Sequence, residues 1–201
     1  IAGNLAVISV GYGVSIFRLQ QKEFADSAFF VTAGVYEASN EATISGNKVY
    51  SVTKTGLKSH DLNTTFPVFS TWTTVQSGNF TQIDSEGVVS YSTATNAYVI
   101  NNGVTTPISQ AFTNIKDIVT GSNYITVTDN NRVYSFDSNG TSIGSASPGE
   151  ECNTAIRISS KVYFGTALSG IKNEDNNSFK PSGPYFNYSY KIRLMDNDQL
   201  L

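Results

Sequence analysis

The segment Ile118–Phe136 has the sequence IVTGSNYITVTDNNRVYSF, and it contains the unit that the rest of the chain repeats. It holds two runs rich in β-branched and aromatic residues on either side of the turn Asp129-Asn130-Asn131, and this pattern is typical of a β-hairpin. The same order of an apolar residue, a short polar spacer, a strand, a tight turn and a second strand occurs four more times. The other copies are IAGNLAVISVGYGVSIF from Ile1, ISGNKVYSVTKTGLKSHDL from Ile44, IDSEGVVSYSTATNAYVI from Ile83 and ISSKVYFGTALSGIKNED from Ile158.

The spacing of these copies predicts the architecture. Their leading isoleucines, at positions 1, 44, 83, 118 and 158, lie about forty residues apart, which is the length of one four-stranded propeller blade. We therefore predict an all-β fold, with residues 1–201 forming a single β-propeller domain of about five four-stranded antiparallel blades. The segment Ile192–Leu201 starts the repeat again, which suggests a section of a longer chain.

Three stretches allow another interpretation. Arg18–Phe30 and Ala111–Val119 each have the apolar spacing of a short amphipathic helix. The apolar run Ile1–Phe17 is nearly long enough for a membrane-spanning or assembly helix. It contains Asn4 and three glycines and it aligns with the other repeats, so we expect a strand hairpin there.

The segment Val133–Asp137, followed by Asn139-Gly140-Thr141, resembles the strand and turn of PQQ-like propeller repeats, and the blade pattern as a whole is similar to that of PQQ-like and WD40 propellers. The resemblance implies a propeller fold. The Trp-Asp pair of WD40 blades is absent, because the single tryptophan, Trp72, precedes Thr73. The repeated Trp and Gly of quinoprotein dehydrogenases are absent too, so we expect no cofactor.

Composition excludes several classes of function. Only 14% of the residues are charged, the net charge is −3, and no run of Lys or Arg is present, so we expect no nucleic-acid partner. One Cys and one His cannot build a Cys/His zinc site, and we predict no metal. The 25 Ser, 21 Thr and 19 Asn residues are expected mainly at turns between blades.

The remaining candidates are polar or aromatic. For a protein or glycan ligand, the favoured binding residues are Trp72, Tyr185, Tyr188 and Tyr190. Possible N-glycosylation sites, in predicted turns, are Asn63, Asn139 and Asn176. His60 beside Asp61 is interpreted as part of a solvated turn, and Cys152 as an inert thiol. Asp129 and Asp137 are interpreted as turn residues rather than calcium ligands.

These patterns favour a non-catalytic binding or structural module, a glycoprotein on the surface of a cell or virus particle, with no expected membrane contact and with a place in a larger assembly. No catalytic residue is assigned. One alternative is an enzyme acting on polysaccharide, with carboxylates drawn from Asp84, Glu86, Asp117 and Asp129. The other is a filament or capsid subunit anchored by a helical Ile1–Phe17.

Overall fold

The computed structural model describes residues 1–121, 123–179, 194–195 and 199–200, and it divides into two compact units, Ile1–Ser85 and Glu86–Leu201. Nearly all regular structure in the described residues is β-strand. The exception there is a single 3-10 turn, Phe69–Thr71. The prediction of an all-β chain is confirmed.

The first unit contains a three-stranded sheet, a two-stranded hairpin and a four-stranded sheet, each antiparallel and each in chain order. The three-stranded sheet comprises β1 (Leu5–Val10), β2 (Gly13–Arg18) and β3 (Glu23–Phe29); the hairpin comprises β4 (Val31–Thr32) and β5 (Val35–Tyr36); and the four-stranded sheet comprises β6 (Glu41–Ser45), β7 (Lys48–Val52), β8 (Gly56–Asp61) and β9 (Thr73–Ser77).

The rest of the chain repeats the four-stranded sheet three times, again in chain order, and adds a short hairpin. The strands are β10 (Gln82–Glu86), which runs over the division between the units, β11 (Val88–Ser92), β12 (Ala97–Asn101) and β13 (Val104–Pro107); then β14 (Ile115–Thr120), β15 (Tyr124–Asp129), β16 (Arg132–Asp137) and β17 (Ser142–Ala146); then β18 (Cys152–Ile158), β19 (Lys161–Thr166), β20 (Gly170–Asn173) and β21 (Ser178–Phe179); and finally β22 (Leu194–Met195) and β23 (Gln199–Leu200). Four four-stranded sheets and one of three strands, in the described residues, agree with about five predicted blades.

The N-terminal run forms a hairpin. Leu5–Val10 pairs with Gly13–Arg18 in a continuous register from Leu5 opposite Arg18 to Val10 opposite Gly13. The expected strand hairpin is confirmed, and the hypothesis of a filament or capsid subunit anchored by a helical Ile1–Phe17 is wrong.

Both predicted helices are wrong as well. Arg18–Phe30 contains a turn, where Lys22 has a φ of 55°, and then β3, which pairs along β2 from Gly13 to Arg18. Most of Ala111–Val119 belongs to β14, which pairs with β15. In each case the neighbouring strand supplies a ladder of backbone hydrogen bonds with one register shift, and this tertiary pairing outweighs a weak helical periodicity.

Each unit has an apolar core between its sheets. In the first unit the core combines residues of β2, β3, β6 and β7 with Phe30 and Phe66, both at most 1% exposed. In the second unit the largest cluster joins side chains from β11, β12 and β14 to β16 with Ile108 and Phe112. Sheets covered on both faces explain why the middle strands, such as β8 and β11, are buried along almost their whole length.

Buried hydroxyl groups lie in the same layers as the apolar core. The Ser51 hydroxyl donates to Ser39 at 2.9 Å, and Ser39 donates to Ser9 on β1 at 2.9 Å. Thr43 and Ser85 pair in the same way at 2.7 Å. The expectation that Ser and Thr would lie mainly at turns is therefore incomplete, because a hydroxyl that is both donor and acceptor satisfies its neighbour inside the core.

The second unit repeats this arrangement between successive sheets. The hydroxyls of Ser90 on β11 and Thr120 on β14 are hydrogen bonded, and the backbone N–H of Arg157 on β18 donates to the Thr126 hydroxyl on β15 at 3.2 Å. Ser90, Thr120 and Thr126 are all at most 4% exposed. A hydroxyl therefore recurs as the polar contact between neighbouring sheets.

The outermost strands have exposed edges with few charges. Register shifts, typical of β-bulges, interrupt the pairing of β3, β9 and β17 with their inner neighbours. No such shift affects β13, which ends at Pro107. Because the Ile108 N–H donates inward to Ala97, and the donors alternate along a strand, the nitrogen of Pro107 faces outward. The proline thus removes a donor from an open edge.

We expect Ser51→Ala to lower the free energy of unfolding by about 1–2 kcal/mol, because it removes a buried hydroxyl from the Ser51–Ser39–Ser9 series. Chemical denaturation measures the change. The matched control is Ser70→Ala at an exposed position, where a change below about 0.5 kcal/mol is expected. An equal effect of the two substitutions would contradict a stabilising role for the buried hydroxyls.

We expect Pro107→Thr to increase aggregation, because it restores an outward N–H on the regular edge of β13. Light scattering during prolonged incubation measures the rate. Thr106→Ala, on the same strand, adds no donor and serves as the control. Unchanged scattering for Pro107→Thr would show that this edge is protected by something other than the proline.

Candidate binding surface

Three aromatic rings form an exposed group in the first unit, which we call the aromatic cluster: Tyr12, Phe29 and Tyr36. The rings of Tyr12 and Phe29 are stacked, with centroids 4.7 Å apart and planes 19° apart. Tyr36 lies on Phe29 at 6.2 Å and a tilt of 54°. Phe29 is 46% exposed and Tyr36 is 61% exposed. The cluster therefore presents the exposed rings of Phe29 and Tyr36 beside the half-buried ring of Tyr12.

A glycine brings the first two rings together. Gly13 has a φ of 137°, and a Cβ atom there would lie 2.2 Å from the carbonyl oxygen of Ala28. Only glycine allows β2 and β3 to approach so closely at this end. The Phe30 N–H then donates to the Tyr12 carbonyl at 2.8 Å, which holds the β1–β2 turn against the end of β3.

The third ring is carried by the β4–β5 hairpin. Its two-residue turn has Ala33 at a φ of 51° and Gly34 at 78°, the signs of a type I′ turn. Val31 pairs with Tyr36, and Thr32 pairs with Val35. All four of these strand residues are exposed, and Val31, at 40%, lies opposite Tyr36 on the same face of the hairpin.

A buried ion pair holds the hairpin in place. Glu37 follows Tyr36, and its carboxylate accepts the Thr55 N–H at 2.9 Å and lies 3.3 Å from the Lys58 ammonium. The two side chains are only 10% and 7% exposed. The Lys58 ammonium also lies 5.7 Å from the centroid of the Phe69 ring, at a cation–π distance.

The same contacts control the titration of Glu37. Burial by itself would raise the pKa of the Glu37 carboxyl, but hydrogen bonds from Thr53 and Thr55 and the charge of Lys58 outweigh it and lower the pKa below its ordinary value of 4.5. Glu37 is therefore ionised at neutral pH, and its charge is used inside the protein rather than at the surface of the cluster.

Trp72, one of the predicted binding residues, has a different environment. Its indole N–H donates to the Phe66 carbonyl at 2.9 Å, and its ring packs on Phe30 and Phe66 at 4.8 and 5.3 Å. It is half-buried against the core of the first unit. The other predicted binding residues, Tyr185, Tyr188 and Tyr190, lie outside the described residues.

His60 is not part of a solvated turn, so that interpretation is wrong. It is 6% exposed on β8, and its ring nitrogens lie 2.6 Å from the Asp61 carbonyl and 2.7 Å from the Thr71 hydroxyl. The Asp61 carboxylate pairs instead with Lys48 at 2.9 Å. The imidazole packs beside Trp72 at 5.4 Å, because the segment after β8 folds back over it.

The structure shows the environment of each carboxylate that was named for an enzyme. Asp129, 6% exposed, accepts hydrogen bonds from the Thr113 and Asn114 backbone N–H groups. Asp117 is 3% exposed within β14. Asp84 and Glu86 each make contacts of their own. Asp137 accepts the Asn139 and Thr141 N–H groups at 2.9 Å, which is the predicted turn geometry.

Cys152 is fully buried, with its thiol 3.1 Å from the Thr154 carbonyl oxygen. Burial raises the pKa of this thiol to about 12, so its reactive thiolate is scarce at neutral pH. Over the described part of the chain, His, Cys, Asp and Glu do not gather in groups of three or more suited to a metal ion.

Three predicted glycosylation positions, Asn63, Asn139 and Asn176, are exposed. Asn63 accepts from the backbone and hydroxyl of Thr65, at 2.9 and 2.7 Å, through its Oδ1 atom. Asn139 accepts the Asn101 amide, and Asn176 has a φ of 63°. Their modification remains a prediction. In the described residues, the structure has no helix of the length and apolar character needed to cross a membrane.

The aromatic cluster was missed from sequence, because its members come from three separate segments. Phe29 and Tyr36 stand seven residues apart on either side of Ala33-Gly34, a pair suited to a tight turn. The Ala33-Gly34 pair is therefore the sequence feature that indicates a hairpin flanked by the two aromatic residues. Their contact with Tyr12 depends on the pairing of β2 with β3.

Comparison with known proteins identifies the fold alone. No protein-family model and no curated protein matches the chain. Among solved structures, the computationally designed Ika8 protein matches with a TM-score of 0.67 and 12% identity, over 98% of this chain and 64% of that one. BamB from Moraxella catarrhalis matches with a TM-score of 0.53 and 14% identity, over 81% of this chain and 52% of that one. Hsv2 from Kluyveromyces lactis matches with a TM-score of 0.62 and 9% identity, over 89% of this chain and 63% of that one.

BamB and Hsv2 are β-propellers, so the predicted propeller fold is confirmed. This chain spans between about half and two thirds of the length of these three structures. At sequence identities of 9–14%, these structures show the fold only, and a function has to be argued from the residues of this chain.

We expect Glu37→Gln to lower the free energy of unfolding at pH 7 by about 3 kcal/mol, because Lys58 would lose its buried partner. Since folding lowers the pKa of Glu37, its contribution is present above about pH 4.5 and is lost as the pH falls through the folded-state pKa. The difference between the two proteins should therefore shrink in acid.

Denaturant titrations from pH 3 to pH 8 measure this difference. Glu151→Gln is the matched control, since Glu151 pairs with Lys116 but is 61% exposed, and about 0–1 kcal/mol is expected there. A difference for Glu37→Gln that stays constant with pH would contradict a role for its charge.

Proposed function

We propose that this chain is a non-catalytic binding module that attaches to a protein partner through the aromatic cluster. The carrying observation is the exposure of Phe29 and Tyr36 in contact with each other, at 46% and 61%. Rigid aromatic side chains that lose little conformational entropy are enriched where protein interfaces gain most of their free energy.

The chemistry around the cluster favours a protein over a glycan. Sugar hydroxyls need carboxylates or amides beside an aromatic face, and the Glu37 carboxylate, next to Tyr36 in the chain, is already occupied by Thr55 and Lys58. The cluster instead continues into Val31, the cross-strand partner of Tyr36, which is 40% exposed. A partner with an apolar, uncharged surface fits these groups.

The site of action is part of the same proposal. A low content of charge and a surface rich in Ser, Thr and Asn support a place on the exterior of a cell or virus particle, as one component of a larger assembly. The buried, hydrogen-bonded state of Asp129 supports a non-catalytic role, because a carboxylate that orders a loop is a poor acid or base for an added substrate.

The test compares wild type with the double variant Phe29→Ser/Tyr36→Ser. Binders selected from a displayed peptide library should lose affinity about tenfold or more for the double variant, as expected for a central aromatic contact. Leu168→Ser is the matched control, since Leu168 is also 61% exposed and lies in the other unit.

Equal binding by wild type and the double variant would overturn the proposal, and so would a failure to select any peptide. Selective binding on a glycan array that depends on Tyr36 would replace the protein partner with a glycan. Release of reducing sugar from a polysaccharide by the purified chain would contradict the non-catalytic role and favour the enzyme alternative.

A further inference from the structure

A second surface feature lies on the other face of β2 and β3. It is a pocket of about 390 Å³ in the first unit, and we call it the β2–β3 pocket. Its floor is apolar and consists of Leu5, Ile16, Ala25, Leu62 and Phe66. A pocket of this size accepts a long side chain of a bound polypeptide.

The charges at the rim do not cancel. Arg18 and Asp26 both line the pocket. The Arg18 guanidinium is 3.0 Å from the Glu23 carboxylate, so its positive charge is already compensated. The Asp26 carboxylate is exposed, and within the described residues neither a hydrogen bond nor an ion pair engages it. The rim therefore has an uncompensated negative charge beside the apolar floor.

An amide completes the rim. The Asn63 Oδ1 atom is engaged by the Thr65 backbone and hydroxyl, and this fixes the orientation of the side chain. In the protein without a glycan on Asn63, its Nδ2 group is available as a donor, since no contact of that atom occurs among the described residues. A ligand that matches the pocket thus combines a cation, an aliphatic arm and a carbonyl acceptor.

From this geometry we infer that the β2–β3 pocket binds a lysine side chain of a partner polypeptide. The lysine ammonium pairs with Asp26, its four methylene groups lie on the apolar floor, and a backbone carbonyl of the partner accepts from Asn63. Lysine side chains commonly bury their aliphatic stems while the charged end remains in water. The inference rests on the proposed protein-binding function and adds the chemistry of one contact.

The test is an NMR titration of the folded chain with three acetylated, amidated tripeptides, Gly-Lys-Gly, Gly-norleucine-Gly and Gly-Glu-Gly. The lysine peptide should bind best. Asp26→Asn should weaken it about three- to fivefold, the range for one solvent-exposed ion pair, and Glu174→Gln, an exposed carboxylate in the other unit, should leave it unchanged.

Two further variants test the sign of the charge at the rim. Arg18→Gln should strengthen binding of the lysine peptide about twofold, because it removes a positive charge. Glu23→Gln should weaken it to a similar degree, because it leaves Arg18 uncompensated. Raising the salt from 0.1 to 0.5 M should reduce the preference for lysine over norleucine.

Equal binding of the lysine and norleucine peptides, or no change on Asp26→Asn in a protein that retains the wild-type circular dichroism spectrum, would overturn the inference. The double variant Phe29→Ser/Tyr36→Ser should bind the lysine peptide normally. If the lysine peptide does not bind the pocket but library peptides bind the aromatic cluster, the inference is wrong and the proposed function stands. If the lysine peptide binds but no library peptide depends on Phe29 and Tyr36, the proposed function is wrong.

Discussion

Hydrogen bonds between buried hydroxyl groups join successive sheets within each unit. A sheet covered on both faces cannot use the alternation of polar and apolar residues that an exposed sheet shows. Apolar contacts fill most of the space, and small hydroxyl residues such as Ser51 and Thr120 satisfy one another where two sheets meet. Pairing offsets the cost of burying a hydroxyl, although the Thr128 and Ser135 hydroxyls are buried without a hydrogen-bond partner among the described residues. The pairs therefore restrict how neighbouring sheets can be arranged.

Polar groups near the ends of the strands perform a related task. Asp129 and Asp137 hold loop N–H groups, and Thr53 and Thr93 accept from the backbone of the turns that follow them. These contacts give each turn a defined shape without help from a metal or disulfide in the described residues. They also occupy side chains that would otherwise be candidates for catalysis.

The aromatic cluster depends on these same constraints. Gly13 allows the end of β3 to approach the β1–β2 turn, and the buried Glu37–Lys58 pair fixes the β4–β5 hairpin. A buried ion pair adds little net stability, but it penalises arrangements that would leave either charge unpaired. Glu37 directly follows Tyr36 in the chain. The Glu37–Lys58 pair therefore couples the folding of the first unit to the position of the Tyr36 ring.

The all-β class and the blade unit could be predicted from the amino-acid sequence, because both follow from local patterns: the forty-residue spacing of Val- and Tyr-rich runs and the Gly, Asn and Asp turns between them. The sequence was misleading at Arg18–Phe30 and Ala111–Val119, where a local period resembled a helix and a neighbouring strand supplied the hydrogen bonds. The burial of His60 and the core positions of Ser51 and Ser90 follow from the packing of segments that are distant in the chain. Tertiary packing also brought Tyr12, Phe29 and Tyr36 together, since contacts between residues distant in the chain depend on strand register, which no local pattern specifies.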